Sequence, residues 1–423
     1  MIKKILLLLF VACSLFAYDA TVQIVKKIDT LPKIAVQDAS DNGEDIFLRK
    51  KFYKLLVGDL RVSAHFRPLN KYLTSSYDGG VGENFLSKES VDLILRFKLI
   101  TVGNSLIANV KLINASSGEV KNETKYKMQK IKRYPFLAHR IVVNINDMIG
   151  APSIKWMEQF VLFAKYTGKR ESEIVVSDYT LSFQKTVVKG GLNIFPKWAD
   201  RVQDSFYYTS YSGYLPTLYK VDLNTGERRK IISSKGMLVC SSVSKDGEKL
   251  LLTMAPKDQA DIYLYDLRFK QLNRLTRYPG IDVNGNFIDD DKKIIFVSDR
   301  LGYPNIFSKQ IGGDGTIEQM VYHGKNNNSV SAIDNYIVYS SRENSSEFGD
   351  SVFNLYLIST KTDYIRQLTA SGKNLYPRFA KDKDTILFIK HFKNQSSLGV
   401  IRLNANKSFL FPLKVGKIQS IDW

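Results

Sequence analysis

Leu250-Leu251-Leu252-Thr253, then Ile262-Tyr263-Leu264-Tyr265-Asp266, then Gln271-Leu272-Asn273-Arg274-Leu275-Thr276, reads as three short strands separated by turns. The first of these strands recurs as Val161-Leu162-Phe163-Ala164, Phe206-Tyr207-Tyr208-Thr209, Ile294-Ile295-Phe296-Val297, Ile337-Val338-Tyr339-Ser340 and Ile386-Leu387-Phe388-Ile389. From copy to copy the third residues are separated by 45, 44, 44, 43 and 49 positions. A second strand follows each at a near-constant offset: Ile174-Val175-Val176-Ser177, Leu218-Tyr219-Lys220-Val221, Ile306-Phe307-Ser308-Lys309, Leu355-Tyr356-Leu357-Ile358 and Val400-Ile401-Arg402-Leu403 complete the set. Several copies are preceded by tight-turn chemistry, as in Lys245-Asp246-Gly247-Glu248 and Lys381-Asp382-Lys383-Asp384. Four strands per unit of roughly 40–45 residues is the signature of a propeller blade. Six copies therefore predict a six-bladed β-propeller over residues 151–423.

The copy at Val161 has no innermost strand ahead of it, because Ala151-Pro152 and a helical pattern stand there. The chain ends instead in Lys417-Ile418-Gln419-Ser420-Ile421-Asp422-Trp423. This terminal strand is expected to complete the first blade, which leaves the ring no free edge.

Upstream, over 18–150, the period changes to that of an α/β domain. Lys33-Ile34-Ala35-Val36 is a strand, and Phe47, Leu48, Phe52, Leu55, Leu56 and Leu60 fall near helical spacing between Ile46 and Ser63. Val91–Leu99 and Ser105–Leu112 form a hairpin, and a second helix is expected over Pro135–Ile149, stopped by Gly150 before Pro152. Tyr18–Thr30 alternates Val22, Ile24 and Ile28 with polar residues and reads as an extended arm.

Residues 1–17 have the layout of a secretory signal: Lys3 and Lys4, an apolar run from Ile5 to Ala12, and the small Ala17 as the cleavage site. Cys13 is a poor lipidation site because of Phe10 upstream. No later run approaches the ~20 apolar residues of a membrane span. Cleavage leaves one cysteine, Cys240, without a disulfide partner. It also lowers the net charge from +19 to +17, through the loss of Lys3 and Lys4. The basic residues are scattered, without an arginine-rich run or a nucleic-acid module, so no nucleic-acid partner is expected. The 24 Phe, 23 Tyr and 3 Trp fall mostly on the repeated strands.

Catalytic, cofactor and metal residues are all expected to be absent. There is no Gly-x-Ser-x-Gly elbow. The four histidines, His65, His139, His323 and His391, lie in different units with no metal-ligand spacing, and each is expected to be structural or to sit in a polar loop. Asp282-Val283-Asn284-Gly285-Asn286 begins like a calcium loop but has Lys293 where a bidentate Glu is needed, so it reads as a turn.

Leu31–Val36, Asp59–Leu69, Val175-Val176-Ser177-Asp178-Tyr179 and the blade pattern together resemble the TolB family, the periplasmic components of the Tol–Pal envelope system. The blade signature survives only in part, in Trp198-Ala199-Asp200 and Ser244-Lys245-Asp246-Gly247, and Met237 stands where many relatives have a histidine. The resemblance implies a non-enzymatic, monomeric periplasmic protein that supports outer-membrane integrity and envelope constriction in cell division. It implies two partners, the Pal lipoprotein on the propeller and the C-terminal domain of TolA on the arm, with other outer-membrane proteins or peptidoglycan as further contacts. The arm residues would be Tyr18, Val22, Ile24, Val25 and Ile28. The loops facing Pal would present Met237, Leu238, Val239, Cys240, Asp282, Val283, Asn284, Asn327, Asn328, Asn374 and Tyr376. The competing reading is a periplasmic propeller that cleaves or binds envelope polysaccharide.

Overall fold

The repeated four-residue runs are buried throughout, and in Ser205–Ser210 all six residues of the strand are buried. A strand in the middle of a blade packs against the next blade on both faces, so its sequence is a continuous apolar run rather than an alternation. In the computed structural model, which describes residues 31–81, 90–343 and 351–423, these runs form the second strand of six four-stranded blades. The signal and arm expected over 1–30 lie outside the described residues. Blade 1 is ordered Lys417–Asp422, Val161–Gly168, Glu171–Ser177, Gln184–Val188 from the centre outward. In blades 2 to 6 the innermost strands are Asn193–Trp198, Leu238–Val243, Asp282–Ile288, Lys325–Ile333 and Lys373–Phe379. The last two blades touch through one parallel pair, Phe353 with Lys373.

The C-terminal strand pairs antiparallel with the first repeat strand, placing Ser420 opposite Ala164, Ile421 opposite Phe163 and Asp422 opposite Leu162. Asp282–Asn286, expected as a turn, is instead part of the innermost strand of blade 4. Its turn-like composition reflects a bulge between Val283 and Asn286.

In the N-terminal region a mixed sheet runs Arg67–Pro68, Lys33–Asp38, Leu93–Val102, Ser105–Asn114, Val120–Met128. Helix α1 (Ile46–Ser63) starts at Asp45, whose carboxylate accepts from Phe47 N at 2.8 Å. It buries Phe52, Leu56 and Leu60, one face at a spacing of four, while Phe47 points outward. Helix α2 (Tyr134–Met148) ends in a Schellman arrangement: Gly150 N–H donates to Asp147 O at 3.0 Å and Ala151 N–H to Asn146 O at 3.3 Å, with Gly150 left-handed at φ +67°. Pro32–Trp423 forms one compact unit. The core beneath α1 and α2 continues through Ile154, Trp156 and Met157 into Val161, Tyr179, Ile418 and Ile421 of the propeller.

Blade 6 shows how tightly this packing is set. Gly399 lies opposite Phe388 on the neighbouring strand, and a Cβ there would collide with the Phe388 ring. Gly399→Ala should lower stability by about 1–3 kcal/mol through overpacking, read as a shift in denaturant midpoint at unchanged slope.

Candidate functional site

The six innermost strands surround the propeller axis, and each is bulged. The register shifts lie between Ile194 and Lys197, Cys240 and Ser242, Val283 and Asn286, Asn328 and Ser331, Leu375 and Arg378, and Ile418 and Ser420. A bulge re-aims a side chain that strict alternation would direct elsewhere. At four of them a non-glycine residue is left-handed: Phe195 (φ 53°), Asn284 (φ 56°), Ser329 (φ 50°) and Tyr376 (φ 51°). Such backbone costs on the order of 1–3 kcal/mol per residue and persists only where the surroundings hold it. These four residues and Cys240 line one cavity of about 400 Å³ in the channel.

The predicted loop residues divide into two groups. Met237, Val239, Cys240, Val283, Asn284, Asn328 and Tyr376 line the cavity. Leu238, Asp282, Asn327 and Asn374 are fully buried within the blades and present no contact surface. Leu238 belongs to a blade core. Asp282 faces Arg300, with Nη2 at 3.1 Å from Oδ1 and 3.3 Å from Oδ2. Asn327 donates to His323 O at 2.9 Å and Asn374 to Ser371 O at 3.0 Å. Asn193 at the same blade position donates to Gly190 O at 2.8 Å. These asparagines brace the loops that enter the channel by satisfying their carbonyls.

Two cavity residues escaped the sequence reading. Lys197 Nζ lies 2.7 Å and Arg378 Nε 3.5 Å from the same oxygen, Oδ1 of Asp422. Asp422 Oδ2 accepts from Trp198 N at 2.8 Å. Burial pulls the Lys197 ammonium below its usual pKa and Arg378 adds to this, against the opposing pull of Asp422. The signal was in the sequence: Phe195-Pro196-Lys197-Trp198 and Tyr376-Pro377-Arg378-Phe379 repeat an aromatic, proline, basic, aromatic pattern at one blade position. Blades 2 and 6 flank blade 1, so the two cations converge on its carboxylate.

Cys240 is buried in the channel wall, and burial pushes its thiol up to about 12, so it is not a thiolate at neutral pH. Among the described residues no three His, Cys, Asp or Glu side chains gather as a metal site, and no helix is long and apolar enough to cross a membrane.

A second concentration of polar chemistry lies at the junction of α1, α2 and blade 1. His139 of α2 is fully buried with a carboxylate at each ring nitrogen: Asp59 Oδ2 at 2.7 Å from Nδ1 and Asp178 Oδ2 at 3.3 Å from Nε2. Tyr179 donates its hydroxyl to Asp59 Oδ1 and packs its ring tilted against His139 and edge-to-face with Trp156 and Phe411, with centroids at 4.9, 5.1 and 5.3 Å. Burial lowers the imidazole pKa, but the two carboxylates outweigh it and raise it to about 10. His139 is therefore an imidazolium at neutral pH, donating from both nitrogens. Asp59, Asp178 and Tyr179 all come from the segments that carried the family resemblance.

Residues 157–423 match the model of the TolB beta propeller domain. The chain is 52% identical over 411 residues to the Tol-Pal system protein TolB of Wolinella succinogenes, covering 97% of each chain. It is 49% identical over 424 residues to that of Campylobacter jejuni subsp. jejuni serotype O:2, covering 100% of each. Among solved structures, TolB from Acinetobacter baumannii superposes with a TM-score of 0.74 over 93% of this chain and 97% of that one, at 21% identity, a likeness of fold. The blades, the α/β domain and full-length identity to two curated relatives agree: the chain belongs to the TolB family of Tol-Pal system proteins.

Proposed function

We propose that the chain is an exported, non-enzymatic periplasmic component of the Tol–Pal system, supporting outer-membrane integrity and envelope constriction in cell division. Its propeller docks the Pal lipoprotein and its arm, Tyr18–Thr30, engages the C-terminal domain of TolA. The observation that carries the docking reading is the channel mouth, where bulges turn Phe195, Val283, Asn284 and Tyr376 toward one cavity beside Met237 and Val239. Strained backbone concentrated at one mouth suits a preorganised contact surface. Membership of the family and full-length similarity to Tol-Pal system proteins support the choice of partners. On this reading Leu238, Asp282, Asn327 and Asn374 hold the loops in place, while Met237, Asn284, Asn328 and Tyr376 meet the lipoprotein.

The arm supplies Val22, Ile24, Val25 and Ile28 for strand pairing or groove contacts, with Tyr18 at its start. Binding of the lipoprotein biases the arm only through a difference in affinity for its packed and free states.

The test is capture of the purified lipoprotein and, separately, of the TolA C-terminal domain of the same cell. Deleting residues 18–30 should abolish TolA capture and leave lipoprotein capture intact. Tyr376→Ala should weaken lipoprotein binding roughly tenfold or more, as for a central aromatic anchor. TolA capture by the deletion variant would overturn the arm assignment, and undiminished lipoprotein binding by Tyr376→Ala would overturn the docking face.

A further inference from the structure

The channel cavity is lined by 18 residues, among them Lys197 and Arg378 but no aspartate or glutamate. Behind the wall stands one carboxylate, Asp422, shared by both cations through the single oxygen Oδ1. The Lys197 and Arg378 side chains are 16% and 13% exposed and that of Asp422 is 5%. Two largely buried cations against one carboxylate leave an excess positive charge at the cavity wall. Buried charge of that kind is stable only with a counter-charge or hydrogen-bonding partners.

Hydrogen bonding points the same way. Arg378 Nε is buried and, beyond its 3.5 Å ion-pair contact with Asp422 Oδ1, makes no hydrogen bond among the described residues. The guanidinium's one hydrogen bond among the described residues is a long one, 3.4 Å, from Nη1 to its neighbour Pro377 O. Five donors on a rigid planar fork suit an oxyanion. Asn284, Asn328 and Ser329 bring polar groups from blades 4 and 5 to the opposite wall. Because Lys197 and Arg378 face one oxygen, their nitrogens lie no further apart than the sum of those two distances, which is close enough for one ligand to meet both.

We propose that the propeller channel is an oxyanion site, in which Lys197 and Arg378 together bind one carboxylate or phosphate group. A cation would face two positive side chains with no acidic group in the lining. The same chemistry is available from two sources: a carboxylate on the partner docked at the mouth, or free phosphate. The site stands on the channel's own residues, and only the assignment of its occupant to a docked partner rests on the function proposed above.

The experiment is a calorimetric titration of the full mature chain with inorganic phosphate at constant ionic strength in chloride. The expected result is uptake of one equivalent per chain. Arg378→Gln should weaken it at least about tenfold, as loss of a charge-assisted fork predicts. Arg378→Lys should retain part of it, and Lys121→Gln, an exposed site on the α/β domain, should leave it unchanged. Lys197→Gln provides the same reading if Arg378→Gln fails to give a native circular dichroism spectrum. No saturable uptake by the wild-type chain overturns the site, as does equal uptake by a folded Arg378→Gln or Lys197→Gln variant. Repeating the titration with the purified lipoprotein bound separates the sources. Loss of phosphate uptake assigns the site to a carboxylate of the partner, and unchanged uptake assigns it to the free anion. Phosphate uptake without any lipoprotein binding would sustain the site and sink the docking reading.

Discussion

Removal of Ile418–Trp423 is expected to abolish the cooperative unfolding transition of the propeller. Ile418 and Ile421 are 0% and 1% exposed, and losing each costs on the order of 2–5 kcal/mol, the range for large core truncations. Asp422 leaves with them, which strands Lys197 and Arg378 without their shared carboxylate; breaking a buried pair costs about 3–5 kcal/mol more. The deletion also exposes the inner edge of Val161–Gly168, opening a ring that otherwise closes on itself. Together these losses reach the entire net stability of a typical domain, about 5–15 kcal/mol. The truncated chain should accumulate in the insoluble fraction, or show a broad transition by calorimetry where the full chain shows a sharp one. A milder probe, Ile421→Asp, places a carboxylate opposite Phe163 and should lower the melting temperature strongly without shortening the chain. A truncated chain with an unchanged melting temperature would refute the closure.

Much of this architecture was legible because propeller blades bury their middle strands on both faces, so each copy leaves an uninterrupted apolar run such as Ile294–Val297. Closure by Lys417–Asp422 was legible from a missing strand at one end and a spare strand at the other. The channel was less so. Mouth residues were chosen by their place before a strand, but facing direction in a bulged strand depends on where the extra residue sits, and composition does not announce it. Leu238, Asp282, Asn327 and Asn374 therefore joined the set although they point into the blades. The bulge at Asp282–Asn286 also passed for a turn, since Asn and Gly are the residues of both. Lys197 and Arg378 could have been found by aligning Phe195–Trp198 with Tyr376–Phe379. The role of His139 was out of reach of spacing arguments, because its partners lie 80 and 39 residues away in sequence.

His139 is the residue whose loss should most clearly separate the two parts of the compact unit. In His139→Leu, Asp59 and Asp178 would face each other across a buried junction without the imidazolium between them. The cost should be about 3–5 kcal/mol, that of removing one partner from a buried ionic cluster. Calorimetry should then resolve two transitions, an early one for the α/β domain and a later one for the propeller, where the wild-type chain shows one. The pH dependence distinguishes this from simple loss of packing. The folded-state pKa of His139, about 10, lies above the unfolded value near 6.5, so the folded state binds the extra proton. Its contribution is therefore complete below about pH 6.5, declines as pH rises, by at most about 1.4 kcal/mol per unit, and is gone above about pH 10. Urea titrations of both chains at pH 6, 8 and 10 read this directly. The stability gap between wild type and His139→Leu should be widest at pH 6 and shrink toward pH 10, whereas a lost packing contact would leave it constant. Asp59→Asn should lose stability at pH 6 as well, because it removes one of the carboxylates that hold the proton and leaves the Tyr179 hydroxyl facing a neutral amide. A gap equal at pH 6 and pH 10 would mean that His139 is neutral in the folded chain and that the junction is held by its aromatic contacts with Tyr179 and Phe136 instead.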